Sequence, residues 1–210
     1  MTSGGARETL GHEEIELKLP CENLETVLAT LRERGGLQRA PLHFESNDLF
    51  DNPEGRLSGA GCTLRLRRAG EETLLTFKGP ARFRNGVKVR QEREVRVSDA
   101  AETEAILQAL GLERRFHYEK RREEWELLGC LVALDQTPIG NFVEVEGDPP
   151  AIRRTVAALG LDFASAIPYS YAKLYALKRQ KEPSLPEDMV FADGKRETGN
   201  GKRGGQTQED

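Results

Sequence analysis

Two spacings of hydrophobic residues alternate along the chain. The first is helical. Leu24, Val27, Leu28 and Leu31 recur at three- and four-residue intervals before Gly35 and Gly36, which predicts an amphipathic helix after Pro20. "SDAAETEAILQALGL" predicts a second, with Asp99 and Glu102 in capping-box spacing and Gly111 as its stop. "DPPAIRRTVAALGL" predicts a third, with Asp148 as N-cap, Pro149 in the first turn and Gly160 at the end. "SYAKLYALKRQ" is a shorter fourth candidate.

The second spacing has period two and belongs to strands. In "EEIELKLP", Ile15, Leu17 and Leu19 alternate with Glu14, Glu16 and Lys18. "CTLRLRRA" sets Leu64 and Leu66 against Thr63, Arg65 and Arg67, and "TLLTFKGP" sets Leu75 and Phe77 against Thr76 and Lys78. "VRQEREVRV" carries Arg90, Glu92, Glu94 and Arg96 on one side, and "HYEKRREEWEL" carries Tyr118, Lys120, Arg122 and Glu124. "CLVALDQTP" places Asp135 in register with Leu131 and Ala133, and "NFVEVEGD" places Glu144 and Glu146 with Phe142. "SNDLFDNPEGRLSGAG" adds a strand and turns. Short turns rich in Gly, Pro and Asp join seven or eight strands, so their pairing is expected to be antiparallel.

For any one strand, a charged face is simply the wet side of a sheet; Lys120 and Arg96 fit that explanation. Together the strands fit it less well, because cations and carboxylates are grouped by strand rather than mixed with Ser, Thr and Gln. Such grouping makes sense if the sheet curls until its charged face is interior. An interior lined by both signs requires pairing or a ligand. A polyphosphate with a divalent cation suits it: Arg and Lys neutralise phosphate oxygens, and paired carboxylates hold Mg²⁺ or Mn²⁺.

Composition narrows the classes further. Of 210 residues 31% are charged and 37% hydrophobic, enough for one modest core. The net charge of −4 argues against a nucleic-acid binder. Cys21, Cys62 and Cys130 form no CxxC pair, which argues against a disulfide framework or zinc site and for a reducing compartment. The first residues lack the apolar core of a signal peptide, and no apolar run approaches the ~20 residues of a membrane span, so a cytoplasmic protein without membrane contact is expected. The folded domain is expected over 11–181, followed by a disordered tail over 182–210; "PEDMVF" within it reads as solvated linker more readily than as a docking element.

Glu14-Ile-Glu16-Leu-Lys18, followed in order by "LRLRR", "LTFKGP", "EREVRV", "YEKRREEW", "ALDQTPIGNFVEVEG" and "SYAKL", resembles the CYTH superfamily, the triphosphate tunnel metalloenzymes. The likeness runs from about Gly11 to Lys178 and is nearest to bacterial proteins called class IV adenylyl cyclase-like or thiamine triphosphatase-like. It implies an α+β fold: an eight-stranded antiparallel barrel forming a tunnel, with helices packed outside. It implies triphosphate binding by Lys18, Arg65, Arg67, Lys78 and Arg122, with Lys120 and Lys173 added. It implies metal ligation by Glu14, Glu16, Glu144 and Glu146 assisted by Asp135. Glu92 and Glu94 would either assist or orient basic residues. Glu14 or Glu16 would orient the nucleophile, and Lys18 would act as base only with a much lowered pKa. Relatives often read Asp-x-Tyr-Phe-Asp where this chain has "NDLFD", so Leu49 stands at an aromatic position and Asn47 at an Asp.

The expected substrate is a nucleoside, organic or inorganic triphosphate, and a homodimer remains open. Conversion of ATP to cyclic AMP and pyrophosphate is the leading expectation. Tripolyphosphate or thiamine triphosphate hydrolysis is the alternative, and a non-catalytic nucleotide sensor comes third. His12, His43 and His117 lack metal-ligand spacing, and Trp125 and Phe116 are expected to pack against helices.

Overall fold

A computed structural model describes residues 12–192. Nine strands build one antiparallel sheet: β1 (His12–Cys21), β2 (Leu37–Asp51), β3 (Thr63–Ala69), β4 (Glu72–Lys78), β5 (Arg82–Arg84), β6 (Val87–Val97), β7 (Glu113–Leu127), β8 (Cys130–Thr137) and β9 (Gly140–Glu146). Their order is β1-β9-β8-β7-β2-β3-β4-β6-β5, and β1 also pairs with β6. That extra pairing closes eight strands into a barrel, while β5 adds a short hairpin arm to β6. The expected architecture is therefore the observed one.

The helices lie where the apolar spacing placed them: α1 (Leu24–Glu33), α3 (Ala100–Ala109), α4 (Pro149–Ala158) and α5 (Tyr171–Lys181). Asn23 caps α1 and Asp99 caps α3 through side-chain oxygens, satisfying free N–H groups of the first turn. Asp148 occupies the α4 cap position without a side-chain bond, leaving Pro149 to set that start. A single turn, α2 (Arg56–Gly59), was not expected; Asp51 holds it by accepting from the N–H groups of Leu57 and Ser58 at 2.8 Å each.

Leu17, Leu19, Val143, Val145, Val132 and Leu134 turn outward from the barrel and pack under α1 and α4 with Leu31, Ile152 and Val156. Each such burial contributes about 1.5–3 kcal/mol. Trp125 belongs to this core, as expected. On the opposite side α3 covers a smaller set, Phe50, Leu66 and Leu107. Phe116 packs beside Tyr175 of α5, with ring centroids 5.8 Å apart.

One expectation needs correction. The segment from 182 is not featureless: residues up to Ala192 are described, and "PEDMVF" docks. β8 pairs with β7 only from Arg121 to Leu127, which leaves the earlier half of β7 with an open edge there. Met189 fills it in parallel register with Tyr118, donating to His117 O at 3.0 Å and accepting from Glu119 N at 2.9 Å. Its side chain is completely buried with Tyr118, Phe142, Tyr171 and Tyr175. Composition hid this because one methionine and paired backbone carry the contact. Residues 193–210 lie outside the described residues, as does the expected domain start at 11.

Candidate active site

Alternation along the strands delivers the charged faces to the interior. A cavity of about 1280 Å³ is lined by Glu14, Glu16 and Lys18 of β1, Arg65 and Arg67 of β3, Lys78 of β4, and Lys88, Arg90, Glu92 and Glu94 of β6. Tyr118, Lys120, Arg122 and Glu124 of β7, Glu144 and Glu146 of β9, and Lys173 of α5 also line it. The strand registers pair many of these across neighbours, the arrangement in which opposite charges stabilise a sheet. Lys18 faces Glu144, Glu16 faces Lys88, Lys78 faces Glu92, and Arg122 faces Asp135.

The floor is a closed ion network. Arg122 grips Asp135 through Nε and Nη2 at 2.7 and 2.6 Å and also meets Glu144. Lys120, 2% exposed, lies 3.1 Å from Asp135 and 3.4 Å from Glu45. Tyr171 donates its hydroxyl to Asp135 at 2.7 Å, and its ring lies 3.7 Å beneath the Lys18 ammonium. Lys18 also reaches Glu144 and the Tyr169 carbonyl, each at 3.2 Å. Burial alone would push the Glu144 and Glu45 carboxyls up. Lys18, Arg122 and Lys120 around the first, and Lys120 and Arg67 around the second, instead hold both well below the carboxylate range.

The opposite side is looser. Arg65 meets Thr76 at 3.3 Å and Glu94 at 3.7 Å, and its buried Nε has no hydrogen-bond partner among the described residues. Arg67 bonds Glu45 and Asn47. Lys78 holds both Glu14 oxygens at 2.6 and 2.7 Å and Glu92 at 2.8 Å. Lys88 holds Glu16 at 2.5 Å. Glu146 makes no ion pair among the described residues. Burial, then Glu14, Glu92 and Glu16 nearby, push its carboxyl up to about 7 despite Lys78. Burial would also raise the Tyr118 hydroxyl, but Arg65, Lys120 and Arg67 bring it below its ordinary value.

The sequence profile of the CYTH domain matches residues 12–158. The chain belongs to the CYTH family. A "putative adenylate cyclase" from Vibrio parahaemolyticus superposes with a TM-score of 0.68 at 22% identity, over 79% of this chain and 99% of that one. A Pyrococcus horikoshii protein gives 0.64 at 26% identity, again over 79% and 99%. A "putative adenylyl cyclase" from Hippeastrum, reported to have a dominant triphosphatase activity, gives 0.57 at 15% identity over 82% and 97%. These likenesses show a shared fold. The sequence finds no match among curated proteins.

CYTH proteins bind triphosphates and generally depend on a divalent metal. The donors present can be tested against that requirement. Among the described residues no three His, Cys, Asp or Glu side chains converge at ligand spacing. The expected set divides instead. Asp135 is fully buried, does not line the cavity, and has both oxygens engaged by Arg122, Lys120 and Tyr171, so it anchors cations. Glu144 is likewise taken by Lys18 and Arg122. Glu146 alone of the set has no ion pair among the described residues; it lies directly opposite Glu16 and near Glu14, which Lys88 and Lys78 hold. Mg²⁺ commonly takes one or two carboxylates and completes its shell with water and substrate phosphates. The under-neutralised Glu146 beside Glu16 fits a cation of that kind.

All seven expected triphosphate contacts line this cavity, Lys173 from the first turn of α5. Lys18 contacts a carboxylate, a carbonyl and a ring face. Glu92 and Glu94 line the cavity and pair with Lys78 at 2.8 Å and Arg65 at 3.7 Å. Sequence reading missed Glu45, Lys88 and Tyr171. Lys88 precedes Arg90 at the same period, and Tyr171 lies inside "SYAKL", so both carried a signal. Glu45 carried little, because β2 does not alternate cleanly.

Proposed function

We propose that this cavity binds a triphosphate chain with Mg²⁺ or Mn²⁺ and that the protein converts ATP to cyclic AMP and pyrophosphate. One observation carries the reading: Arg65, whose buried Nε lacks a hydrogen-bond partner among the described residues, and Glu146, a carboxyl with no ion pair among them, line the same cavity. A bound phosphate chain satisfies the first and a divalent cation the second.

In this reading Arg65, Arg67, Lys78 and Arg122 lie along the phosphate oxygens, with Lys18, Lys120 and Lys173 adding charge. Fixed cations in a partly desolvated site stabilise developing phosphate charge without reorganising. Glu14, Glu16 and Glu146 would hold the metal, which would neutralise phosphate oxygens and ease deprotonation of the nucleophile. The ribose 3′-hydroxyl loses its proton to solvent and its oxygen bonds to the α-phosphorus as the bond to pyrophosphate breaks. Leu49 lines the cavity and brings no hydroxyl, so the tyrosine-assisted hydrolysis that the family resemblance suggests has no counterpart at that position.

Hydrolysis of tripolyphosphate or thiamine triphosphate is the second reading, favoured by the triphosphatase activity reported for the Hippeastrum protein. Purified protein given ATP, tripolyphosphate or thiamine triphosphate separately, with Mg²⁺ or Mn²⁺, decides between them. Cyclic AMP and pyrophosphate from ATP are expected. Phosphate release without cyclic AMP would establish the hydrolase, and tight ATP binding without turnover would establish a sensor.

A further inference from the structure

A second, smaller cavity of about 170 Å³ lies beside the first and shares Glu16, Lys18, Lys88, Pro168 and Tyr169 with it. Its position follows from the topology. β1 and β6 are paired only as far as Glu16 and Lys88; beyond that point β1 continues against β9 and β6 against β5. The barrel wall therefore parts at this seam. The segment before α5 enters the gap, where Ile167 N donates to Lys18 O at 2.8 Å.

Two aromatic residues line the cleft. Tyr169 comes from that segment, and Phe83 comes from the β5–β6 hairpin, opposite Lys88. They are 45% and 57% exposed, so neither ring is consumed by the core. The hairpin that carries Phe83 is held in place. Its turn has Asn85 and Gly86 both at positive φ, 53° and 82°, as a tight two-residue hairpin turn requires. Arg153 of α4 donates to Asn85 O at 2.7 Å and stacks over Phe163, 4.1 Å from the ring centroid. A Cβ at Gly86 would come within 2.9 Å of that same Phe163 ring. Phe83 is thus presented by an anchored arm. Its ring does not line the main cavity, whereas Tyr169 borders both.

A cleft this small is below the usual size for a whole drug-sized ligand and suits a single planar ring system. Aromatic walls recognise a nucleobase by its π-face, and the adjoining Lys18 and Lys88 lead toward the phosphate-binding wall. We propose that the seam between Phe83 and Tyr169 receives the base of a nucleoside triphosphate whose phosphates occupy the barrel. Organic rather than inorganic triphosphates are then the substrate class. This rests on the triphosphate reading of the main cavity.

The test compares ATP with inorganic tripolyphosphate for the wild type, Phe83→Ala and Phe83→Tyr, by turnover with Mn²⁺ and by calorimetric binding. Removing one stacking ring is expected to raise KM and Kd for ATP about ten-fold. Tripolyphosphate values should stay unchanged, and Phe83→Tyr should restore ATP binding. Equal loss for both ligands would make Phe83 merely structural, and no loss for either would remove the base from this cleft; both outcomes overturn the proposal. Arg65→Ala serves as the control: tripolyphosphate binding that is insensitive to it, or absent in the wild type, overturns the triphosphate reading itself. Tyr169→Ala should repeat the Phe83→Ala pattern, since only the Tyr169 backbone carbonyl meets Lys18. GTP, CTP and thiamine triphosphate, measured alongside, rank the rings the cleft accepts.

Discussion

The barrel has two unlike walls. Strands β7, β8, β9, β1 and the start of β6 (Val87, Val89) are backed by α1 and α4 over a broad aliphatic layer, whereas β3, β4 and the end of β6 share a smaller layer with α3, with Val95, Ile106 and Leu110 left exposed. The inner faces differ in the same sense. Behind the thick wall, Lys120, Arg122, Asp135 and Glu144 satisfy one another out of water. Behind the thin wall, Arg65 and Lys78 hold partners that a ligand could displace. One strand pattern therefore makes both: the floor around Asp135 is closed by mutual pairing, whereas Arg65 on β3 and Glu146 on β9 are each left short of a partner among the described residues. A buried charge with all its partners is costly to disturb, while one short of a partner is available to bind.

The sharpest way to break this contrast is Asp135→Ala, which removes the buried carboxylate that Arg122, Lys120 and Tyr171 share. It should cost about 3–5 kcal/mol in urea unfolding; a loss below about 1 kcal/mol would erase the distinction. Next comes Arg65→Ala. Turnover should fall about 10²- to 10³-fold in kcat, with an unfolding midpoint much closer to wild type than that of Asp135→Ala. Equal destabilisation by the two would mean that the thin wall is scaffold as well.

Glu146 gives a smaller effect with a definite sign. Its carboxyl is raised to about 7 in the folded chain from an ordinary 4.5, so the folded state binds that proton more tightly. In metal-free protein the associated stability is full below about 4.5 and is lost as pH rises through about 7. Thermal melts across that window should show the decline, and Glu146→Gln should flatten it. Mn²⁺ affinity should weaken as pH falls below about 7, because protons compete for the same carboxylate. Smallest of all is Arg96→Ala, which removes an exposed pair with Glu72 and should change stability by less than about 0.5 kcal/mol.

Arg96 and Lys120 also show how far sequence reading extends. Each sits in an alternating charged strand, and both fitted a wet face; one is 70% exposed in its side chain and the other 2%. Period two tells which side a residue takes, but not how deep it lies or whether the barrel continues over it. The same limit explains Asp135. Its register with Leu131 and Ala133 was correct, while its depth beneath Tyr171 depends on a helix 36 residues later. Helices α1, α3 and α4 were legible because spacing, caps and stops all agreed. Glu45 was not, because β2 shifts register against β7 near Ala40, His43 and Leu49. The cavity's composition was legible from the strands taken together; the division of its carboxylates between metal and cations required distances.

Closure through β1 has a consequence for how the molecule is made. The first strand finds its two neighbours near residues 88–92 and 141–146. Met189, which covers the open edge of β7, comes later still. During synthesis β1 therefore waits, one face aliphatic, for residues 88–92 to cover one edge and for residues 141–146 to cover the other. Long waits of this kind slow folding and expose strand edges to other chains. Glu14, Glu16 and Lys18 then serve before any substrate is present: charges on a strand with open edges discourage its pairing with strangers.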